Sequence, residues 1–138
     1  MKARVKWVEA MTFVGESESG HSVVMDGSPD IGGRNLGIRP MEMLLLGLGG
    51  CTAIDVVLIL RKSREKVTDC AIEIEAERAA DDPKVFTRIR LKYRIADRDL
   101  DRGKVERAVA LSAEKYCSAS AMLGRTADIV HDIELVPA

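Results

Sequence analysis

The chain has 138 residues, of which 46% are hydrophobic and 31% charged, and its formal net charge is −1. This length suits one domain with its own core and is too short for two domains of typical size. The near-zero charge offers no basic surface to neutralise phosphates, so we expect no nucleic acid partner. No apolar stretch follows the basic N-terminus, so we expect no secretory signal and a cytoplasmic protein.

Three short strands are predicted in residues 1–27. Residues 2–7 alternate basic and apolar side chains, which is typical of a half-buried strand. Residues 11–15 and 21–26 form two further candidates, with a turn at residues 16–20 between them. Residues 28–39, rich in glycine, are predicted to be a loop.

A long helix is predicted over residues 40–62. Pro40 suits the first helical position, Glu42 lies in the first turn, and Arg61 and Lys62 lie in the last. The segment is apolar enough to raise the question of a membrane span. It also contains Asp55 and three glycines, and the chain has no second such segment, so we expect a buried core helix and no membrane contact. We expect this helix to be buried on most sides.

A hairpin is predicted over residues 70–96. Its two strands alternate apolar and charged side chains, and an antiparallel pairing places an acidic row beside a basic row. This favours a solvated charge ladder over an anion-binding surface. The acidic row is Glu73, Glu75 and Glu77, and the basic row is Arg88, Arg90, Lys92 and Arg94. The side chains predicted to face the other way on the second strand are Val85, Thr87, Ile89, Leu91, Tyr93 and Ile95.

A second helix is predicted over residues 101–117 and a last strand over residues 127–137. Helical spacing places Val105, Ala108, Val109, Ser112 and Tyr116 on one face of that helix. The order of elements predicts a single α+β domain in residues 1–138, with sheets covering the central helix.

Cysteines are the first candidates for chemistry. Cys51 lies in the apolar helix among glycines, where small neighbours permit close approach, although a small buried hydrophobe would fit as well. Cys117 lies at a helix end, and a helix beginning at Ser118 would lower its thiol pKa. Cys70 is predicted to be a core residue. An odd number of cysteines favours free or redox-active thiols over a disulfide framework.

Other polar residues lie near these cysteines in the sequence. Asp55 is one turn after Cys51, and a buried carboxylate there needs a partner, which a second subunit could supply. An arginine could stabilise a thiolate, although pairing with a carboxylate is the commoner role. His21 and His131 are predicted to be surface or strand residues. The remaining candidates are Glu42, Glu114, Arg34, Arg39 and Arg125.

Two blocks of the sequence resemble a known family. Residues 39–57, Arg-Pro-Met-Glu-Met-Leu-Leu-Leu-Gly-Leu-Gly-Gly-Cys-Thr-Ala-Ile-Asp-Val-Val, resemble the first-cysteine helix of the OsmC/Ohr superfamily, the osmotically inducible and organic hydroperoxide resistance proteins. Residues 112–120, Ser-Ala-Glu-Lys-Tyr-Cys-Ser-Ala-Ser, are similar to its second-cysteine segment. The N-terminal strand and the strand after Gly20 are most similar to the YhfA-like branch.

This resemblance implies an intertwined homodimer, in which antiparallel sheets wrap long central helices that carry the first cysteine. It implies that Cys51 attacks an organic hydroperoxide and that Cys117 resolves the oxidised form as a disulfide. An external dithiol reductant would reset the pair, and no bound cofactor or metal is expected. The family pairs a helix-start glutamate with an arginine from an N-terminal hairpin. In this chain Glu42 is shifted by one residue and the hairpin turn has no arginine, so Arg34 or Arg39 would have to substitute.

Two functions therefore follow from the sequence. The first is a thiol-dependent peroxidase for small organic hydroperoxides that uses Cys51 and Cys117. The second is a binding protein of the same fold that holds a small apolar ligand near Cys51 with weak or no peroxidase activity. A purely structural protein is a third class. The first two differ in whether a thiolate-stabilising arginine and carboxylate reach Cys51.

Overall fold

The computed structural model describes residues 1–137 and has the predicted α+β architecture, with two three-stranded sheets and a long helix. Two compact units are present, Met1–Leu46 and a second that begins at Gly47. The elements are β1 (Ala3–Glu9), β2 (Thr12–Ser17), β3 (Ser22–Asp26), a 3-10 turn (Pro29–Ile31), α1 (Pro40–Lys62), β4 (Val67–Arg78), β5 (Phe86–Asp97), α2 (Arg102–Leu111), a π turn (Ser112–Tyr116), α3 (Ser118–Leu123) and β6 (Asp128–Pro137).

The first unit is built on an antiparallel meander in the order β1-β2-β3. The three strands were predicted correctly, but the half-buried character of β1 was not. Every residue of β1 is exposed in the single chain, and Trp7 retains 58% of its accessible surface. Within the described sheet β1 is an edge strand paired with β2, and its apolar side chains remain uncovered.

The carboxylate of Asp26 organises the loop that follows β3. Its oxygens accept hydrogen bonds from Thr12 Oγ1 at 3.1 Å and from the backbone N–H groups of Gly27, Arg34 and Leu36 at 2.8, 3.4 and 3.2 Å. Burial acts to raise the pKa of Asp26, but the accepted hydrogen bonds outweigh it and the net pKa is lowered. The charged form of Asp26 is thus the form that holds the loop.

The second unit contains the sheet β4-β5-β6, with β5 in the centre. β4 and β5 are antiparallel and the acidic row lies beside the basic row, as predicted; in the observed register Glu73 faces Lys92 and Glu75 faces Arg90. β6 departs from the expected antiparallel arrangement and runs parallel to β5. After β5 the polypeptide returns through α2 and α3 to the end of the sheet at which β5 began. A crossover connection of this kind produces a parallel pair of strands.

The charge ladder on the outer face of this sheet has a third row. Arg94 pairs with Glu73 of β4 at 3.2 Å and with Glu134 of β6 at 3.3 Å, while Arg90 pairs with Asp132 at 3.4 Å. Because acidic rows lie on both sides of the β5 cations, this face is a solvated ion-pair ladder rather than an anion site.

The inner face of β5 forms the core of the second unit. Ile89, Leu91, Tyr93 and Ile95 are fully buried, as predicted. Val85 and Thr87 are not, because the register shifts between Glu77 and Arg78 and Phe86 takes the buried position instead. A bulge changes which alternate residues face the core, and no alternation rule anticipates it.

Only one stripe of α1 is buried in the single chain. In the second unit the buried residues at a spacing of four are Leu48, Thr52, Val56 and Leu60. The opposite side, with Ile54 69% exposed, is open, so the prediction of burial on most sides was wrong for the isolated chain. Among the described residues, α1 is long and apolar enough to cross a membrane, a property that core helices of soluble proteins share.

We predict that Asp26→Asn destabilises the first unit and loosens residues 27–36, because an amide nitrogen replaces one acceptor oxygen. Amide hydrogen exchange of Gly27, Arg34 and Leu36 should accelerate and the urea midpoint should fall. The contribution of Asp26 is present above its unfolded pKa and is lost as the pH falls through its lowered folded pKa, so the difference should shrink in strong acid. Asp81→Asn on the exposed turn after β4 is the matched control, and equal effects of both substitutions would contradict the assignment.

Candidate redox site

Cys51 and Cys117 are neighbours within the second unit. Cys51 lies in α1 and is half-buried, Cys117 is 3% exposed, and Cys51 is near enough to raise the pKa of Cys117. Both cysteines are free thiols. The fold thus places near each other two thiols that are far apart in the sequence, and reversible oxidation requires two thiols within reach of each other.

A π turn places Cys117 on the buried side of its helix. The N–H of Cys117 donates to the carbonyl oxygen of Ser112 at 2.8 Å, which is a bond over five residues instead of four. Cys117 therefore follows Ser112 on the buried face, while Tyr116 is 51% exposed. The predicted continuous helix over residues 101–117, with Tyr116 on its buried face, was wrong at this turn. Such π turns occur frequently at functional sites.

The Cys117 thiol has a raised pKa. α3 begins at Ser118, and the N–H of Ser120 donates to the Cys117 sulfur at 3.3 Å. Burial raises the pKa of Cys117, hydrogen bonding from Ser120 lowers it, and the neighbouring Cys51 raises it. The expected lowering by a helix start is therefore present but is outweighed by burial. Cys117 keeps its proton beside Cys51.

A continuous chain of hydrogen-bonded side chains runs beside the two cysteines. Ser112 Oγ donates to Asp55 Oδ2 at 2.9 Å and lies 2.8 Å from Thr52 Oγ1, which lies 3.1 Å from Tyr93 Oη. Tyr93 Oη lies 2.9 Å from Nδ1 of His131, and the two rings stack at 5.8 Å between centroids. Asp55 thus has its partner within the chain, where the sequence had left a second subunit open.

The number of hydroxyl hydrogens determines which side chain donates in each hydrogen bond of this polar chain. Each hydroxyl has one hydrogen, and Ser112 uses its hydrogen on Asp55. Thr52 must then donate to Ser112, and Tyr93 must donate to Thr52. Tyr93 Oη is left as the acceptor, so His131 carries its hydrogen on Nδ1. Every hydrogen bond of the polar chain therefore donates in the direction from His131 towards Asp55.

Burial shifts the pKa values at the Tyr93 end of the chain. Burial raises the pKa of Tyr93 to about 12, against a lowering by its hydrogen bond with Thr52, and the charges of Cys117 and Cys70 add to the rise. Burial also lowers the pKa of His131, and the nearby charge of Asp132 opposes that shift. Both groups are therefore neutral near pH 7.

Three predicted site residues, Arg34, Arg39 and Glu42, have partners within the first unit. Arg34 pairs with Glu9 at 2.8 Å and donates to Thr12 Oγ1 at 3.2 Å. The Arg39 guanidinium donates to Asn35 Oδ1 at 3.2 Å and to the carbonyl oxygen of Gly37 at 3.2 Å. Glu42 accepts the Arg39 backbone N–H at 2.8 Å, which caps the start of α1. Any action of these groups on Cys51 stays a prediction.

Cys70 is half-buried on β4, where burial and the charge of Asp69 raise its pKa. It was predicted to be a core residue and lies instead at the edge of the core. Within residues 1–137, no group of three or more histidine, cysteine, aspartate or glutamate side chains is arranged to hold a metal ion.

Sequence reasoning missed the polar chain, although signals for it existed. Ser112 stands among apolar residues on the buried face of α2 and the π turn, and Thr52 stands in an apolar helix. Buried hydroxyls require hydrogen-bond partners, so each indicates another polar group opposite. His131 has the same strand parity as Ile129 and Ile133, which places it on their side of β6.

Comparisons with known proteins agree on one family. The sequence model described as OsmC-like protein matches residues 32–132. Protein YhfA of Escherichia coli (strain K12) is 49% identical over 138 residues, the whole of both chains. The crystal structure of a hypothetical protein from Aquifex aeolicus VF5 is 29% identical with a TM-score of 0.87, covering 99% of this chain and 96% of that one. The organic hydroperoxide resistance protein OhrB of Bacillus subtilis has the same fold at 19% identity, with a TM-score of 0.65, covering 97% and 98%.

We predict that part of the stability of the second unit titrates with His131. Its lowered pKa means that the unfolded chain binds this proton more readily, so stability falls as the pH drops below the ordinary value of 6.5 and levels off below the folded pKa. Urea unfolding between pH 4.5 and pH 7.5 should show this slope, and His131→Asn should reduce it. His21→Asn, at an exposed position, should leave the slope unchanged. A slope insensitive to His131→Asn would contradict the assignment.

Proposed function

Because this chain belongs to the family of OsmC-like proteins, we propose that it reduces small organic hydroperoxides with the cysteine pair Cys51 and Cys117. The observation that carries the proposal is the proximity of the two cysteines in the second unit. Thr52, next to Cys51, is hydrogen-bonded to Ser112, whose carbonyl oxygen accepts the Cys117 N–H. Neighbouring thiols need only a short movement to form a disulfide.

In the first step the Cys51 thiolate attacks the outer oxygen of the hydroperoxide. The O–O bond breaks, Cys51 becomes a sulfenic acid, and the alkoxide takes a proton and leaves as an alcohol. In the second step the Cys117 sulfur attacks the Cys51 sulfur, an S–S bond forms, and water leaves. An external dithiol then reduces the disulfide by thiol–disulfide exchange and is itself oxidised.

The different surroundings of the two thiols support this division of roles. Cys117 is more buried and has a raised pKa, so it holds its proton and is a poor first nucleophile. Cys51 is more accessible and is the better candidate to meet the peroxide. A role for Glu42 with Arg34 or Arg39 in stabilising the Cys51 thiolate is part of the proposal.

We also propose that two copies of the chain associate. The single chain leaves Ile54 and Leu58 of α1 exposed in the second unit and Val5 and Trp7 of β1 exposed in the first, and clustered exposed apolar side chains are typical of interaction surfaces. Gly50 of α1 has open space around it, which would allow another helix to approach closely. We place the dimer in the cytoplasm, where dithiol reductants keep cysteines such as these reduced.

We predict that Cys51→Ser abolishes hydroperoxide consumption in the presence of a dithiol reductant. Cys117→Ser should still consume one equivalent of cumene hydroperoxide and should accumulate a sulfenic acid on Cys51. Dimedone trapping followed by peptide mass mapping would detect that acid. Cys70→Ser is the matched control and should behave as the wild type. Equal residual activity in Cys51→Ser and Cys117→Ser would contradict the two-cysteine mechanism.

The alternative function is the binding of a small apolar ligand without turnover. One observation favours it: the exposed side of α1 has a groove of about 400 Å³ lined mostly by apolar side chains, with Cys70 and Arg61 at its margin. If the wild type leaves hydroperoxide untouched while its thiols are reduced, this alternative replaces the peroxidase, and direct ligand titration becomes the relevant measurement.

We predict that the wild type sediments with about twice the chain mass of 15.1 kDa. Ile54→Asp should give the monomer mass, because an uncompensated carboxylate would be buried in the interface. Sedimentation velocity with Ala80→Asp, on the exposed turn after β4, provides the control. A monomeric wild type at micromolar concentration would contradict the proposed association.

A further inference from the structure

We propose that Thr52 and Ser112 are a positioning pair, hereafter the hydroxyl clamp, that holds Cys117 against Cys51 for disulfide formation. The inference rests on the proposed function only in treating that disulfide as the physiological product. Neither side chain is a catalytic residue, since both act through the cysteines that they position.

The Thr52 half of the clamp belongs to α1 and directly follows Cys51. Its side chain is fully buried, and its Oγ1 lies 2.8 Å from Ser112 Oγ. A β-branched side chain in a helix has few χ1 rotamers available, so this hydroxyl has little freedom to point elsewhere. The position of Ser112 is therefore fixed relative to the turn of α1 that carries Cys51.

The Ser112 half of the clamp continues to Cys117 through the backbone. Ser112 is fully buried, its hydroxyl bonds Thr52 and Asp55, and its carbonyl oxygen accepts the N–H of Cys117 at 2.8 Å. A π turn is a rare and less favourable geometry than an α-helical turn. Anchoring its first residue to α1 opposes relaxation to the α-helical register, which would move Cys117 around the helix axis.

Disulfide formation is sensitive to this kind of displacement. An S–S bond requires narrow ranges of Cα and Cβ separation, and an intramolecular reaction gains its advantage from alignment of the reacting atoms. Thr52 is adjacent to Cys51 in the sequence, and Ser112 is linked to Cys117 by one backbone hydrogen bond of the π turn. The hydroxyl clamp therefore acts on both cysteines at once. It therefore sets the effective concentration of one thiol at the other.

The test measures the equilibrium of the Cys51–Cys117 disulfide with glutathione. The dithiol and oxidised glutathione exchange to give the protein disulfide and two reduced glutathione molecules, so no hydroperoxide is needed. The full-length Thr52→Val variant loses the clamp hydroxyl at nearly constant volume. Ser112 keeps its bond to Asp55, and Tyr93 keeps its bond to His131, to which it donates once the imidazole carries its hydrogen on Nε2, so neither is left without a partner.

We expect Thr52→Val to lower the equilibrium constant for the disulfide about tenfold, which is the upper range for one lost hydrogen bond. Thr52→Ser, which restores the hydroxyl, should lie within about threefold of the wild type. Tyr93→Phe removes the other bond that Thr52 makes but retains the clamp, and it should also lie within about threefold of the wild type. Ser112→Ala tests the clamp from the other side and should match Thr52→Val. Circular dichroism and urea midpoints establish that each variant is folded.

A Thr52→Val or Ser112→Ala constant within threefold of the wild type would overturn the clamp. So would an equal fall in Tyr93→Phe, which would indicate general loosening of the core, and so would a failure of Thr52→Ser to restore the constant. A wild type that forms the disulfide with glutathione but not with cumene hydroperoxide would refute the proposed peroxidase and leave the clamp intact. A wild type that forms no Cys51–Cys117 disulfide in either assay would refute both.

Discussion

The hydrogen bond between Thr52 and Ser112 is the constraint on which the rest of the second unit depends. Hydroxyl groups in an apolar core are costly unless each finds a partner, so the elements that carry them have only a few acceptable arrangements. α1 supplies Thr52, β5 supplies Tyr93, and the π turn supplies Ser112. When all the hydrogen bonds of this polar chain are made, the three elements are fixed relative to one another. Apolar side chains fill the remaining space around them.

The polar chain and the cysteine pair lie side by side, and this proximity links stability to chemistry. The residue after Cys51 and the residue that accepts the Cys117 N–H are both members of the chain. An oxidised sulfur and a disulfide differ in size and geometry from two thiols, so the surroundings must hold their shape through the cycle. Buried, fully bonded hydroxyls resist rearrangement more strongly than apolar contacts alone, which slide with little change in free energy.

Much of the fold was predictable because it follows from local rules. Pro40 and the terminal charges placed α1 at Pro40–Lys62, and strict alternation of apolar and charged residues predicted that the acidic row of β4 lies beside the basic row of β5. The deviations came from places where tertiary structure overrides periodicity. The π turn changes the face of Tyr116, a bulge moves Phe86 into the core, and the crossover makes β6 parallel. None of these has a signature in the spacing of apolar residues.

The candidate site was predictable in its cysteines but not in its surroundings. Cys51 and Cys117 are 66 positions apart in the sequence, and this separation does not show whether their side chains are close in the fold. Their pairing was therefore inferred only from the resemblance to a family. The partners of Arg34 and Glu42 could not be deduced, because surface charges have many possible neighbours and choose among them by small free-energy differences. His131 lies in a strand as predicted, but its hydrogen bond with Tyr93 could not be deduced, because a single histidine in a strand gives no sign of a tyrosine on the neighbouring strand.

The outer face of the second sheet has a consequence for how the protein behaves in a crowded solution. Its central strand is basic, while β4 and β6 at the two edges carry acidic rows that include Glu75 and Asp132. Open edges invite pairing with the edge of another molecule. Two copies that approached edge to edge would align carboxylates with carboxylates, so electrostatic repulsion would discourage the growth of a continuous intermolecular sheet. The basic side chains of the central strand pair with the carboxylates of their own sheet. They are therefore not available to form ion pairs between the edges of two molecules.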